Sequence, residues 1–200
     1  MPKYTSKQEI ENYLLIDIIE SFESQVDTWI DNVERYIDDY TGRNFVADSA
    51  ASARLYNGNG KNEIDVDDCI AITLLEVGNG FYAESYITIG NTGYVTLPGN
   101  AIAQGIPIKA IHLKNQLFTV GLQNIRVTAK WGYSQACPGD IKMVATLLTA
   151  HLYKFGRGGI TSGASQERIG NYTIVYQDRN AQEEYKSAMM VLDKYKRLYL

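Results

Sequence analysis

Apolar positions in the first forty residues fall three and four apart. Val26, Trp29, Ile30, Val33, Ile37 and Tyr40 form one stripe, the spacing that keeps side chains on a single face of a helix. Capping-box spacings at Ser6-Lys7-Gln8-Glu9 and Ser24-Gln25-Val26-Asp27 predict two helix starts, and Gly42 predicts the stop of the second. From about Arg54 the period shortens to two. RLYNGNGKNEIDV predicts strand, Asn-Gly turn and strand; IAITLLEV is a short apolar run; YITIGNTGYVTL predicts a hairpin around Gly90-Asn91-Thr92-Gly93. IKAIHL and NIRVTAKW complete an antiparallel set. Helical spacing returns after Pro138-Gly139-Asp140, with Ile141, Val144, Leu148, Leu152 and Phe155 as the buried stripe. Gly156 to Gly170 holds five glycines and predicts a flexible loop, after which Tyr172, Ile174 and Tyr176 alternate as in a strand. A last helix starts at Asn180-Ala181-Gln182-Glu183 and carries Tyr185, Ala188, Met189, Leu192 and Tyr199 on one side. The expected fold is therefore α+β. Residues 1–53 and 134–200 make a small bundle of about four helices; 54–133 is an inserted antiparallel β-rich region; a loop and strand precede the last helix.

Charge changes this picture by giving the chain two ends. Residues 1–40 carry ten acids and three bases, whereas residues 140–200 carry six acids and nine bases. Such polarity suits a protein whose ends face different neighbours, and it also suits ordinary solvated helix faces. The formal net charge of −4 argues against wrapping a nucleic-acid backbone, which needs clustered Lys and Arg. No apolar run approaches the ~20 residues of a membrane span, and MPKYTSKQEIEN does not read as a signal peptide, so the expectation is a soluble intracellular product. Fifteen tyrosines point to contact surfaces, because tyrosine joins a large apolar body to a polar tip.

Candidate chemistry is sparse. No dinucleotide, phosphate-loop, zinc-protease or nucleophile-elbow motif occurs; Gly58-Asn59-Gly60 lacks the third glycine and the following helix. Asp65, Asp67 and Asp68 lack the glycine and terminal glutamate of a calcium loop and read as a polar strand end. Cys69 and Cys137 have neither zinc nor disulfide spacing. Cys137 precedes a helix start, but His151 lies about three turns further on, roughly 15 Å or more at 1.5 Å per residue, so the two cannot form a catalytic pair. His112 alternates with Ile111 and Leu113 and reads as a rim residue. The expectation is no catalytic residue, no cofactor and no metal.

Four stretches, in order, carry a resemblance. They are YIDDYTGRNF (36–45), RLYNGNGKNEIDVDDCIAITLLEV (54–77), NIRVTAKWGYSQACPGDIKMVATLLTAHLYK (124–154) and Glu167-Arg168-Ile169-Gly170-Asn171-Tyr172-Thr173. Together they resemble the head–tail connector, or adaptor, proteins of tailed bacteriophages. Asn171 stands where an Asp is usual, and 78–110 matches weakly.

The resemblance implies a non-enzymatic virion protein at the head–tail interface, made in the host cytoplasm. It implies a dodecameric ring of this chain on the portal protein, a further contact with a stopper, head-completion or tail protein, and DNA only as passing cargo, with no membrane. Residue roles follow as expectations. The terminal Tyr195, Lys196, Arg197, Leu198, Tyr199 and Leu200 dock on the portal, or pack on their own bundle. Ile169, Gly170, Tyr172, Ile174 and Tyr176 reach a neighbouring subunit, or fold back as a local hairpin. Asp27, Asp31, Glu34 and Asp38 face the channel, where negative charge keeps DNA from adhering, or form a solvated face. An alternative from another class is a binding module whose Tyr-rich β-insertion recognises a carbohydrate or another virion protein.

Overall fold

A computed structural model describes residues 4–158, 165–169, 172–176 and 179–197. The chain divides into two compact units, one built from residues 1–45 and 137–200 and the other from Val46–Ala136.

The first unit is helical. Helix α1 (Lys7–Leu14) opens on the expected capping box: Ser6 Oγ accepts from the Glu9 N–H, and Glu9 Oε2 accepts from the Ser6 N–H. Helix α2 (Glu23–Thr41) starts differently from expectation. A single turn of 3-10 helix (Glu20–Phe22) leads into it, Phe22 is the N-cap, and Ser24 lies inside the helix. Phe22 packs at 6.0 Å against Tyr153, so tertiary packing sets the start where a side-chain cap was expected. The stripe holds: Val26, Trp29, Ile30, Val33 and Ile37 are buried, and Gly42 ends the helix at φ 66°. Helix α3 (Gly139–Gly158) buries Ile141, Val144, Leu148 and Leu152. It runs past Gly156, which is helical where a loop was expected. A Cβ at Gly156 would stand 2.6 Å from Trp29 Cη2, so this glycine lets the indole lie on the α3 backbone. Helix α4 (Arg179–Tyr195) buries Tyr185, Ala188 and Leu192. It is tied to α2 by the Tyr36 and Tyr185 hydroxyls (3.4 Å) and by Tyr40 O–H donating to Asp193 (2.5 Å).

The second unit is a six-stranded antiparallel sheet. Its strands are β1 (Ser52–Gly58), β2 (Glu63–Gly78), β3 (Tyr86–Ile89), β4 (Tyr94–Leu97), β5 (Ile108–Leu113) and β6 (Gly121–Trp131). The order is β1-β6-β2-β5-β4, with β3 also on β2. Two expected hairpins are absent. β1 and β2 follow each other in the chain but do not pair, because β6 lies between them, with Leu55 opposite Arg126 on one side and Glu76 opposite the same arginine on the other. β3 pairs with β2 and β4 with β5, so the 90–93 turn closes without a shared ladder. EIDVDDC and IAITLLEV are one strand. The first half of β2 pairs with β5 and its last four residues with β3 along the same edge.

Long-range pairing wins because it buries one continuous core. Ile64, Val66, Leu75, Ile111, Leu113, Phe118, Ile125, Val127 and Trp131 are at most 4% exposed. Trp131 Nε1–H donates to Ser52 O (2.9 Å), and Arg54 lies 4.5 Å over its ring. Gly132 follows at φ +134°, where a Cβ would meet Ala47 Cα at 2.5 Å; the expected aromatic-Gly-aromatic corner therefore needs glycine.

Candidate assembly surfaces

The acids of α2 hold the start of the chain. Tyr4 N–H donates to Glu34 Oε1 and its hydroxyl donates to Asp38 Oδ1, while Phe45 N–H donates back to Tyr4 Oη. Thr5 meets Thr146 on α3 at 2.7 Å. Asp27 accepts from Lys7 Nζ at 3.1 Å, and Lys142 reaches Glu9 at 2.6 Å. Of the four acids expected to face a channel, Asp27, Glu34 and Asp38 make these contacts within their own unit; Asp31, which is not free of partners either, lies at the exposed surface of α2. Composition reported the charge but not these partners.

Burial raises the Asp38 carboxyl to about 6; the Tyr4 hydroxyl opposes that shift, and the nearby Glu34 and Asp39 charges add to it. The folded chain therefore holds this proton more tightly than the unfolded chain. The Asp38 contribution to stability is present at low pH and is lost as pH rises through about 6. His151 acts in the opposite sense. Its burial lowers its pKa, so stability is lost as pH falls through the ordinary histidine range. Comparing wild type with Asp38→Asn in urea titrations between about pH 5 and 7.5 isolates the aspartate, whose ordinary range lies near 4. The stability advantage of wild type is expected to shrink as pH rises; a pH-independent difference would contradict the assignment.

The C-terminal segment is anchored as far as Arg197. Tyr195 O–H donates to Asp140 Oδ2 (2.8 Å), Arg43 Nε donates to Tyr195 O (2.5 Å), and Arg197 N–H donates to Thr41 O (2.8 Å). Lys196 Nζ lies 4.5 Å over the Tyr40 ring. Leu198, Tyr199 and Leu200 lie outside the described residues.

The stretch expected to be a flexible arm and one strand contains two strands. β7 (Ser165–Ile169) and β8 (Tyr172–Tyr176) form an antiparallel ladder, with Ile169 opposite Tyr172, Glu167 opposite Ile174 and Ser165 opposite Tyr176. β8 runs alongside α3 and α4. Gly170 lies outside the described residues.

One surface had no signal in the sequence. Asn124 is fully buried at one end of the sheet. Its Oδ1 accepts from Gly58 N–H (2.9 Å), and its Nδ2 donates to Gly80 O (3.1 Å) and Thr119 O (2.9 Å). Three loops are gathered on one amide. Around it stand exposed Phe81, Tyr82, Leu117, Val120 and Leu122; the Phe81 and Tyr82 rings meet edge to face at 5.0 Å, and Leu122 N–H donates to Phe81 O. This is an ordered apolar tip.

Burial pushes the Cys137 and Cys69 thiols up to about 12, far from a reactive thiolate. His151 faces Glu184 at 3.3 Å. His112 sits beside Asn62 and Glu63, and Asp67 is taken by Arg54 and Tyr56. Among the described residues no His/Cys/Asp/Glu group is arranged to hold a metal, and no helix is long and apolar enough to cross a membrane.

No protein-family model matches the chain, and no curated protein matches it. Solved structures do. A chain in the neck of an empty gene transfer agent particle, computed with C6 symmetry, is similar with TM-score 0.59 and 11% identity, over 96% of this chain and 89% of that one. A chain of the native gene transfer agent virion is similar with TM-score 0.53 and 13% identity, over 96% and 89%. What these chains share is their fold.

Proposed function

We propose that this protein is a non-enzymatic structural component of the neck of a phage-like particle. In this reading it forms a ring that joins the portal vertex to a stopper, head-completion or tail protein and continues the DNA channel. The observation that carries the reading is the fold likeness to a particle-neck chain, which runs through both units rather than through one common module. The sequence resemblance to connector proteins points the same way. The acidic first helices, with Asp31 exposed on α2, give DNA a surface it does not adhere to. The β7–β8 ladder, with Ile169, Tyr172, Ile174 and Tyr176, offers a neighbouring copy the outer edge of a two-stranded sheet.

Co-expression with a candidate portal protein, followed by electron microscopy, tests the reading. The expected result is a twelvefold ring of this chain stacked on the portal. A chain that stays monomeric and does not bind the portal would overturn it.

The apolar tip of the β unit favours a refinement of the binding-module alternative. Exposed Phe81, Val120 and Leu122 suit a protein surface better than a sugar, so the tip is where the next virion protein docks.

A further inference from the structure

Residues 4–14 form an arm clasped by elements that lie far off in the chain. Tyr4 bonds Glu34, Asp38 and Phe45; Thr5 bonds Thr146; Lys7 pairs with Asp27, Glu9 with Lys142, and Tyr13 with Glu184. Tyr4, Thr5 and Ile10 are buried in that clasp. The five residues that join the arm to the turn at Glu20 have the opposite character. Leu15 is 88% exposed, Ile16 and Ile19 are exposed too, and only Ile18 of the five turns inward. Leu15 also ends α1 at φ 56° and ψ 37°, a left-handed conformation that glycine takes readily and a leucine does not. The joint is lightly held. Ile16 and Ile18 N–H bond back to Glu11 of the arm itself, and Ile19 N–H reaches the Tyr153 hydroxyl at 3.4 Å.

We propose that in the ring the copies exchange arms: residues 4–14 of each copy pack on α2, α3 and α4 of a neighbouring copy, with Leu15–Ile19 extended between the two. Every group that clasps the arm is present on each copy, so exchange keeps all of those contacts. What changes is the joint. Once extended, Leu15 leaves its left-handed conformation, and Leu15, Ile16 and Ile19 pass from solvent into the seam between copies, where burial of apolar surface is favourable. The bonds given up are the weakly held ones to Glu11 and Tyr153.

Five extended residues span roughly 17 Å, so only copies in direct contact can exchange. Arm and clasp are different surfaces, which makes the exchange head to tail; a closed ring then leaves no arm without a clasp and no clasp empty. The proposal rests on the ring reading above and adds to it the contact that joins one copy to the next.

Cross-linking of the full chain, assembled with and without a candidate portal protein, tests the exchange. The Thr5 and Thr146 hydroxyls stand 2.7 Å apart, close enough for cysteines at the two positions to form a disulfide. Chains carrying Thr5→Cys alone and chains carrying Thr146→Cys alone are co-assembled and oxidised, with each variant by itself as the control for Cys69 and Cys137. Exchange is expected to give a covalent dimer on a non-reducing gel in the mixture only, and a ladder of covalent multimers when one chain carries both cysteines. Where the buried pair blocks folding, Glu9→Cys with Lys142→Cys at the surface, bridged by a short bismaleimide, gives the same readout. Leu15→Gly suits the left-handed turn and removes the apolar contact; it is expected to fold as stably as wild type and to assemble about tenfold or more weakly by mass photometry. Rings in which the double-cysteine chain runs only as an internally bridged monomer, or Leu15→Gly rings as stable as wild-type rings, would overturn the exchange and leave the ring reading standing. Wild type that never self-associates, with or without portal, would remove the ring reading and this proposal with it.

Discussion

Replacing Asn124 with alanine is expected to destabilise the β unit by roughly 3 kcal/mol or more. The estimate follows from three buried backbone groups, Gly58 N–H, Gly80 O and Thr119 O, left without their partner at about 1–3 kcal/mol each and without strict additivity. Asn124→Asp is expected to fare little better. It keeps an acceptor for Gly58 but sets a carboxylate oxygen against two carbonyls. Urea unfolding measures the loss, and amide exchange at Gly58 and across 79–85 and 114–121 locates it. Equal protection of those loops in wild type and Asn124→Ala would show that the amide does not organise the tip. If the tip docks a virion partner, that binding should fall together with loop protection, since the exposed side chains would remain but their arrangement would not.

The second large effect lies in the helical unit. Trp29→Ala is expected to cost about 3–5 kcal/mol, the usual range for deleting a packed aromatic. Trp29 is 9% exposed, lies 6.4 Å from Phe22 and 6.5 Å from Tyr153, and covers Gly156 on α3. Gly156→Ala is expected to be destabilising for the complementary reason. Its methyl group would stand 2.6 Å from a rigid indole ring, which cannot swing aside as a flexible chain end can. Combining Gly156→Ala with Trp29→Leu should therefore cost less than the sum of the two single changes. Strict additivity in that double-mutant cycle would contradict a direct contact.

Helices were legible because their signals are local. The capping box at Ser6, the stripe Val26–Ile37, Gly42 and the stripe Ile141–Leu152 each depend on residues within a few turns, and each is present in the structure. Capping by Ser24 failed where a distant residue intervened, since the start of α2 is packed against Tyr153. Strands β5 and β6 were legible from alternation, yet their neighbours were not. Alternation tells which face a residue takes and carries no information about which strand lies alongside. The Asn-Gly turn after Tyr56 thus suggested a hairpin, and β6, more than sixty residues later, took the place of the expected partner.

The candidate surfaces divide in the same way. The terminal segment and the Gly-rich stretch stood out as sequence, because apolar residues beside bases, or glycines beside a strand, are visible without a fold. Asn124 did not stand out, being one polar residue in an alternating strand. Neither did the use of Glu34 and Asp38 to clasp Tyr4, thirty or more residues away. By itself the sequence determined the α+β class, the helical ends around a β-rich middle, and the charge polarity of the chain. Tertiary structure alone decided the strand order, the Asn124-centred tip, the pairing of β8 with β7, and the clasp that α2 and α3 form on residues 4–14. The physical reason is range. Periodicity, capping and net charge are sums over neighbouring residues, whereas a clasp, a tip or a strand pairing exists only when burial brings distant residues together.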